Sequence, residues 1–95
     1  MTSVVLEFSG GLELLVDGKK RLEQEVPDKL TLGGLIGWIR SNLIKERHEL
    51  FSQGQRIRPG VLVLINDVDW ELEGKETYNL SSGDCISFIS TLHGG

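Results

Sequence analysis

Near the start of the chain Val4, Leu6 and Phe8 alternate with Ser3, Val5 and Glu7. Period-two alternation marks a strand with one buried face. Ser9-Gly10-Gly11 then loosens the backbone before a second short apolar run, Leu12 to Val16. Asp17-Gly18 is a strong turn signal, because glycine accepts the positive φ of a tight turn. The stretch Lys20 to Val26 has only Leu22 and Val26 as apolar residues and reads as a polar edge strand, stopped by Pro27. The first 26 residues therefore predict a β-hairpin.

The period then changes. Leu32, Leu35, Ile36, Ile39 and Leu43 recur at helical spacing, and Thr31 stands where an N-cap hydroxyl is needed. This predicts a helix of about four turns, opposed by Gly33, Gly34 and Gly37 at roughly 1 kcal/mol each. Trp38 falls off the stripe and is expected to be partly exposed. Glu49-Leu50-Phe51 suits a short extra turn and Gln53-Gly54-Gln55 a loop. Val61-Leu62-Val63-Leu64-Ile65 is a continuous apolar run after Pro59-Gly60, as expected of an interior strand covered on both faces. Asn66-Asp67 reads as a turn, Trp70-Glu71-Leu72 as a short strand, and Ser81-Ser82-Gly83-Asp84 as another turn. Cys85 to Leu92 is the last strand, with Ile86 and Phe88 on one face and Ile89 on the other.

Hairpin, helix and later strands can share one core only if the helix lies across one face of the sheet, an α+β arrangement. The simplest such fold is a β-grasp with a mixed sheet, its first and last strands parallel neighbours in the middle. Residues 1–92 form the expected domain, and His93-Gly94-Gly95 the expected free tail with nothing left to pack. One domain is also what 95 residues support.

Composition alters this picture mainly by exclusion. A net charge of −4 argues against direct nucleic acid binding, since phosphate affinity comes largely from displaced counterions. The longest apolar run has five residues, so no membrane span is expected, and no signal peptide is visible. A single cysteine, Cys85, cannot form an intrachain disulfide, which favours an intracellular setting. At a strand start it reads as a small buried hydrophobe. His48 and His93 lack partners at metal-ligand spacing, so no metal site and no catalytic residue is expected. The acidic run Asp67, Asp69, Glu71, Glu73 and Glu76 reads as solvated surface, as do Lys19-Lys20-Arg21 and Arg56/Arg58. No second apolar face is evident, so a monomer is expected.

Glycine is the outlier, at twelve residues, two of them the final pair. A terminal pair arises by chance about once in 200 chains at average usage. A frayed end is the plain explanation. The alternative is functional: without Cβ atoms the tail can thread where side chains clash, and three residues reach ~10 Å.

The stretch Asp84-Cys85-Ile86-Ser87-Phe88-Ile89-Ser90-Thr91-Leu92-His93-Gly94-Gly95 resembles the end of the ubiquitin-related modifier family. So does the segment from Arg58-Pro59-Gly60 through Trp70-Glu71-Leu72, while Leu35 to Ile39 and Lys45 to Phe51 fit the family's helix and following turn. The likeness covers essentially the whole chain. It implies a ubiquitin-like protein, not an enzyme, whose reactive atom is its own C-terminus. Gly95 would be adenylated with MgATP by an activating enzyme having adenylation and sulfurtransferase domains. A persulfide on that enzyme would then supply sulfur, leaving a C-terminal thiocarboxylate. The family further implies sulfur donation through a tRNA thiolase complex to wobble uridine, and isopeptide attachment of Gly95 to target-protein lysines. Gly94 would be needed for activation, and His93 and Leu92 for docking the partner. No bound cofactor is implied, and the expected location is the cytoplasm, with the nucleus as a second. A weaker likeness through Leu80, Gly83-Asp84 and Gly94-Gly95 leaves open a molybdopterin-synthase-like small subunit. A non-covalent β-grasp interaction module is a third reading.

Overall fold

The computed structural model describes residues 1–92. Its strands are β1 (Thr2–Ser9), β2 (Arg21–Val26), β3 (Ser52–Gln53), β4 (Arg56–Ile57), β5 (Val61–Ile65), β6 (Val68–Asp69) and β7 (Cys85–Ser90). Among the described residues the one α-helix, α1, runs Leu32–Asn42. The five-stranded sheet has the order β2-β1-β7-β5-β6, with β1 and β7 parallel and the other pairs antiparallel. This is the mixed sheet with central parallel first and last strands that the sequence predicts.

Alternation in β1 does what its period requires: Val4, Leu6 and Phe8 are buried under the helix. From β7, Ile86 and Phe88 join them, and from β5, Val61, Val63 and Ile65. Phe8 pairs across the parallel ladder with Phe88, the rings stacked at 5.5 Å, and Phe51 meets Phe88 edge-on at 5.1 Å. On α1, Leu32, Leu35, Ile36 and Ile39 are fully buried, and the Gly34 amide donates to Thr31 Oγ1 at 3.1 Å, so Thr31 is the N-cap. The helix has three turns rather than four. Both Leu43 and Ile44 amides donate to the Ile39 carbonyl, which turns the chain so that Ile44 is buried and Leu43 only half-buried. The helix glycines have a packing reason. A Cβ on Gly33 would come within 3.1 Å of Glu76 Cβ, and one on Gly37 within 3.3 Å of Gln55 Cγ. The β3–β4 hairpin and the loop before β7 thus sit closely on the helix, which offsets the lost helix propensity. Trp38 is half-buried at this surface.

Further expectations are corrected. Leu12–Val16 is a 3₁₀ helix within the β1–β2 connection, burying Leu12 and Val16 while Leu14 points out, so its apolar spacing is i, i+4 and not alternate. β5 is covered on one face only: Leu62 is 50% exposed, because α1 packs on the other side. Trp70–Leu72 is a 3₁₀ turn, since the Asp69 carboxylate accepts from the Glu71 amide and draws the backbone off the ladder after β6. The expected loop at Gln53-Gly54-Gln55 is the tip of a small hairpin, with Gly54-Gln55 the turn between β3 and β4. The expectation of no second apolar face is corrected as well: Leu62 pairs with Ile89 on the outer sheet face, and Leu64 lies alongside.

Candidate functional site

The functional expectation falls on the end of β7, and the fold holds both ends of that strand. At its start, the buried Asp84 carboxylate accepts from Tyr78 Oη at 2.8 Å, the Ser81 amide at 2.8 Å and Asn66 Nδ2 at 3.0 Å. Asn66 Oδ1 in turn accepts from the Cys85 amide. The sequence reads Asp84 only as a turn residue; its Ser-Ser-Gly-Asp setting signals the turn but not the long-range partners. Burial and the adjoining Asp84 charge push the Tyr78 hydroxyl up to about 12 from an ordinary 10.0.

A raised phenol pKa means that the folded protein keeps a proton the unfolded chain loses. The associated stability is fully present below pH 10 and is lost as pH rises towards about 12. Urea midpoints of the native protein are therefore expected to fall across that window, and those of Tyr78→Phe to be flatter there. Equal slopes would contradict the assignment. Asp84→Ala, which strands the Tyr78 hydroxyl and Ser81 amide, is expected to cost about 1–3 kcal/mol at neutral pH.

At the far end, two glycines admit the strand. Gly10 has φ +70°, and a Cβ there would overlap the Ser90 carbonyl oxygen. Gly60 has φ +93°, and a Cβ there would come within 2.8 Å of Leu92 Cδ2. The Gly10 backbone thus approaches the Ser90 backbone more closely than a side chain permits, and Gly60 lies against the Leu92 side chain. The Thr91 amide donates to the Gly60 carbonyl at 2.9 Å and the Thr91 hydroxyl to the same oxygen at 2.6 Å. The Leu92 amide donates to Ser90 Oγ at 3.2 Å. Leu92, the expected docking residue, is 37% exposed against Gly60. His93, Gly94 and Gly95 lie outside the described residues.

The outer face of β7 has one polar cluster. Glu7 accepts from Ser87 Oγ at 3.0 Å and Cys85 Sγ at 3.4 Å, and pairs with Arg21 at 2.9 Å. The hydrogen bond from Ser87, then those from Cys85 and Arg21, hold the Glu7 carboxyl below its ordinary value. Partial burial, then the Glu7 carboxylate, push the Cys85 thiol up, the opposite of nucleophile activation. Cys85 is half-buried rather than fully buried. His48 contacts the Ile44 carbonyl through Nε2 at 2.8 Å, a local tie. Among the described residues no three His, Cys, Asp or Glu side chains are grouped to hold a metal ion.

Comparison with known proteins bears on what this arrangement serves. Residues 3–95 match the family model described as Urm1 (Ubiquitin related modifier). The chain is 52% identical over 99 residues to "Ubiquitin-related modifier 1 homolog" of Chlamydomonas reinhardtii, covering all of both chains. The solution structure of Urm1 from Trypanosoma brucei superposes with a TM-score of 0.84 at 40% identity, covering 99% of this chain and 96% of that one. A Pyrococcus furiosus protein described as putative molybdopterin converting factor, subunit 1 shares the fold, with a TM-score of 0.68 over 97% of this chain and 100% of that one, at 20% identity. By sequence over its length and by its β-grasp architecture, the chain belongs to the ubiquitin-related modifier family.

Proposed function

We propose that this protein is a sulfur carrier and protein modifier whose working group is the Gly95 carboxylate, and that it has no catalytic residue of its own. The observation carrying this reading is β7: a central strand, held between Asp84 at one end and Gly10 and Gly60 at the other, leads straight to Leu92. Residues 93–95 continue from that point and reach at most ~10 Å further. A folded domain whose sequence ends in two glycines suits delivery of a carboxylate into a partner's active site.

In this reading a Gly95 oxygen attacks the α-phosphorus of MgATP on the activating enzyme, and pyrophosphate leaves. A persulfide sulfur of the sulfurtransferase domain attacks the acyl-adenylate carbonyl, and AMP leaves. A second thiol cleaves the resulting acyl disulfide and releases the thiocarboxylate. Gly94 supplies slack for entry, while Leu92 and His93 contact the partner. The thiocarboxylate donates sulfur to wobble uridine on a tRNA thiolase complex, and the same activated terminus joins target-protein lysines through an isopeptide bond. The net charge of −4 suits a carrier that leaves RNA binding to its partner in the cytoplasm and nucleus.

Purified protein incubated with its activating enzyme, MgATP and a persulfide donor is expected to exchange one oxygen for sulfur, read by intact-mass spectrometry and localised to Gly95 by fragmentation. No mass gain under conditions that support adenylation would overturn the sulfur-carrier reading.

A further inference from the structure

The end of the molecule where β7 finishes carries a groove of about 800 Å³, between the β1–β2 connection and the segment after α1. Its lining mixes leucines with charged side chains; Leu15, Leu43 and Leu50 are half-buried, and Leu14 and Leu92 are exposed at 76% and 37%. Leu14 projects outward from the 3₁₀ helix whose Leu12 and Val16 anchor it to the core. Lys45, Arg47 and Arg58 border the same groove, against Asp17 and Glu46. Among the described residues none of those three cations has a carboxylate within 4.0 Å. On a chain of net charge −4, this groove therefore has a local positive surplus beside exposed leucines.

We propose that the groove receives a segment of the activating enzyme in which an aliphatic side chain is flanked by carboxylates. The inference rests on the sulfur-carrier reading and adds to it a docking surface and the partner's chemistry. Two observations select this occupant. Leu92 lines the groove, and residues 93–95 extend from it by no more than ~10 Å, so an enzyme that receives Gly95 must cover this end of the domain. Charge complementarity then fixes the sign of the incoming segment: the cations gain partners, and the leucines are removed from water. RNA fits less well, because Asp17 and Glu46 interrupt the cations and, among the described residues, no aromatic side chain lines the groove for base stacking.

The test is ATP–pyrophosphate exchange by the activating enzyme of the same organism, with concentrations of wild type, Leu14→Asp and the double variant Lys45→Glu/Arg47→Glu varied. All three positions are exposed, so unchanged melting curves are expected. The KM for each variant should rise about tenfold with kcat nearly unchanged, since rim charges and apolar anchors act on association and affinity. Wild-type KM should also rise with added salt, and that dependence should flatten in the double variant. Wild-type KM values in both variants would overturn the groove assignment, and if Gly95 deletion still abolished exchange the carrier reading would stand. Absence of exchange with the wild type would overturn both. Variants with wild-type KM but weakened tRNA binding would reassign the groove to nucleic acid.

Discussion

Removing Gly95 is expected to abolish adenylation while leaving the folded domain intact. The deletion draws the terminal carboxylate back by about 3.3–3.6 Å, one extended residue. A misplacement of 1 Å at a reacting centre can already cost about 100-fold, so pyrophosphate exchange should fall by at least that factor. Gly95→Ala tests a different feature of the same group: it keeps the length and adds a Cβ where the proposed channel admits none, and its exchange should also be lost. Among the described residues the core runs from Val4 to Phe88, and neither change alters a core position, so the urea midpoint should match that of the wild type. Normal exchange by either variant would remove Gly95 from the reaction. Loss of exchange with a lowered midpoint would point to a structural contribution of the tail. A passive interaction module would be indifferent to both changes.

Phe88→Ala is expected to produce the largest loss of stability. Phe88 is fully buried on the central strand, stacked on Phe8 and met edge-on by Phe51. Truncating a buried phenylalanine costs about 3–5 kcal/mol through lost transfer energy and the cavity left behind. Two aromatic contacts are lost with it, each worth roughly 0.5–1.5 kcal/mol beyond burial. Domains of this kind have only about 5–15 kcal/mol in total, so the variant should be substantially unfolded or melt far earlier. The functional consequence follows from position. Phe88 lies between the Asp84 anchor and the Gly10 and Gly60 contacts, so its loss loosens the strand from which the tail departs. An unfolding free energy within about 1 kcal/mol of wild type would show that the three-ring cluster is not the core's main support.

The architecture was largely legible in the residues because each major element has a clean period. Val4, Leu6 and Phe8 alternate, Leu32, Leu35, Ile36 and Ile39 recur at helical spacing, and Thr31 caps the helix as its hydroxyl predicts. The misread elements were short or ambiguous in period. Leu12–Val16 contains four apolar residues in five, which fits a strand or a helical turn equally well, and only packing chose Leu12 and Val16 for the inside. The run Val61–Ile65 looks buried on both faces, but the one long helix covers a single side and leaves Leu62 exposed. Trp70 followed an acidic residue whose side chain caps a turn, a local hydrogen bond that apolar patterning does not register. The helix glycines carry a propensity cost in the sequence, and their use lies in Gln55 and Glu76, which pack against them from distant segments.

The sequence by itself determined the α+β class, the central pairing of first and last strands, and the family, because these rest on periodicity and on residue identity along the whole chain. It also singled out Gly94 and Gly95 as the expected working end of the chain. Only the tertiary structure decided how the tail's base is held and what lies beside it. Asp84 gathers Tyr78, Ser81 and Asn66, Gly10 meets Ser90, and Gly60 meets Leu92. Leu14, Lys45 and Arg58 come together around one groove from three distant segments. The physical reason is separation along the chain. Periodicity reports which way a residue faces, whereas close approach between residues tens of positions apart depends on strand register and on the small residues that let backbones touch.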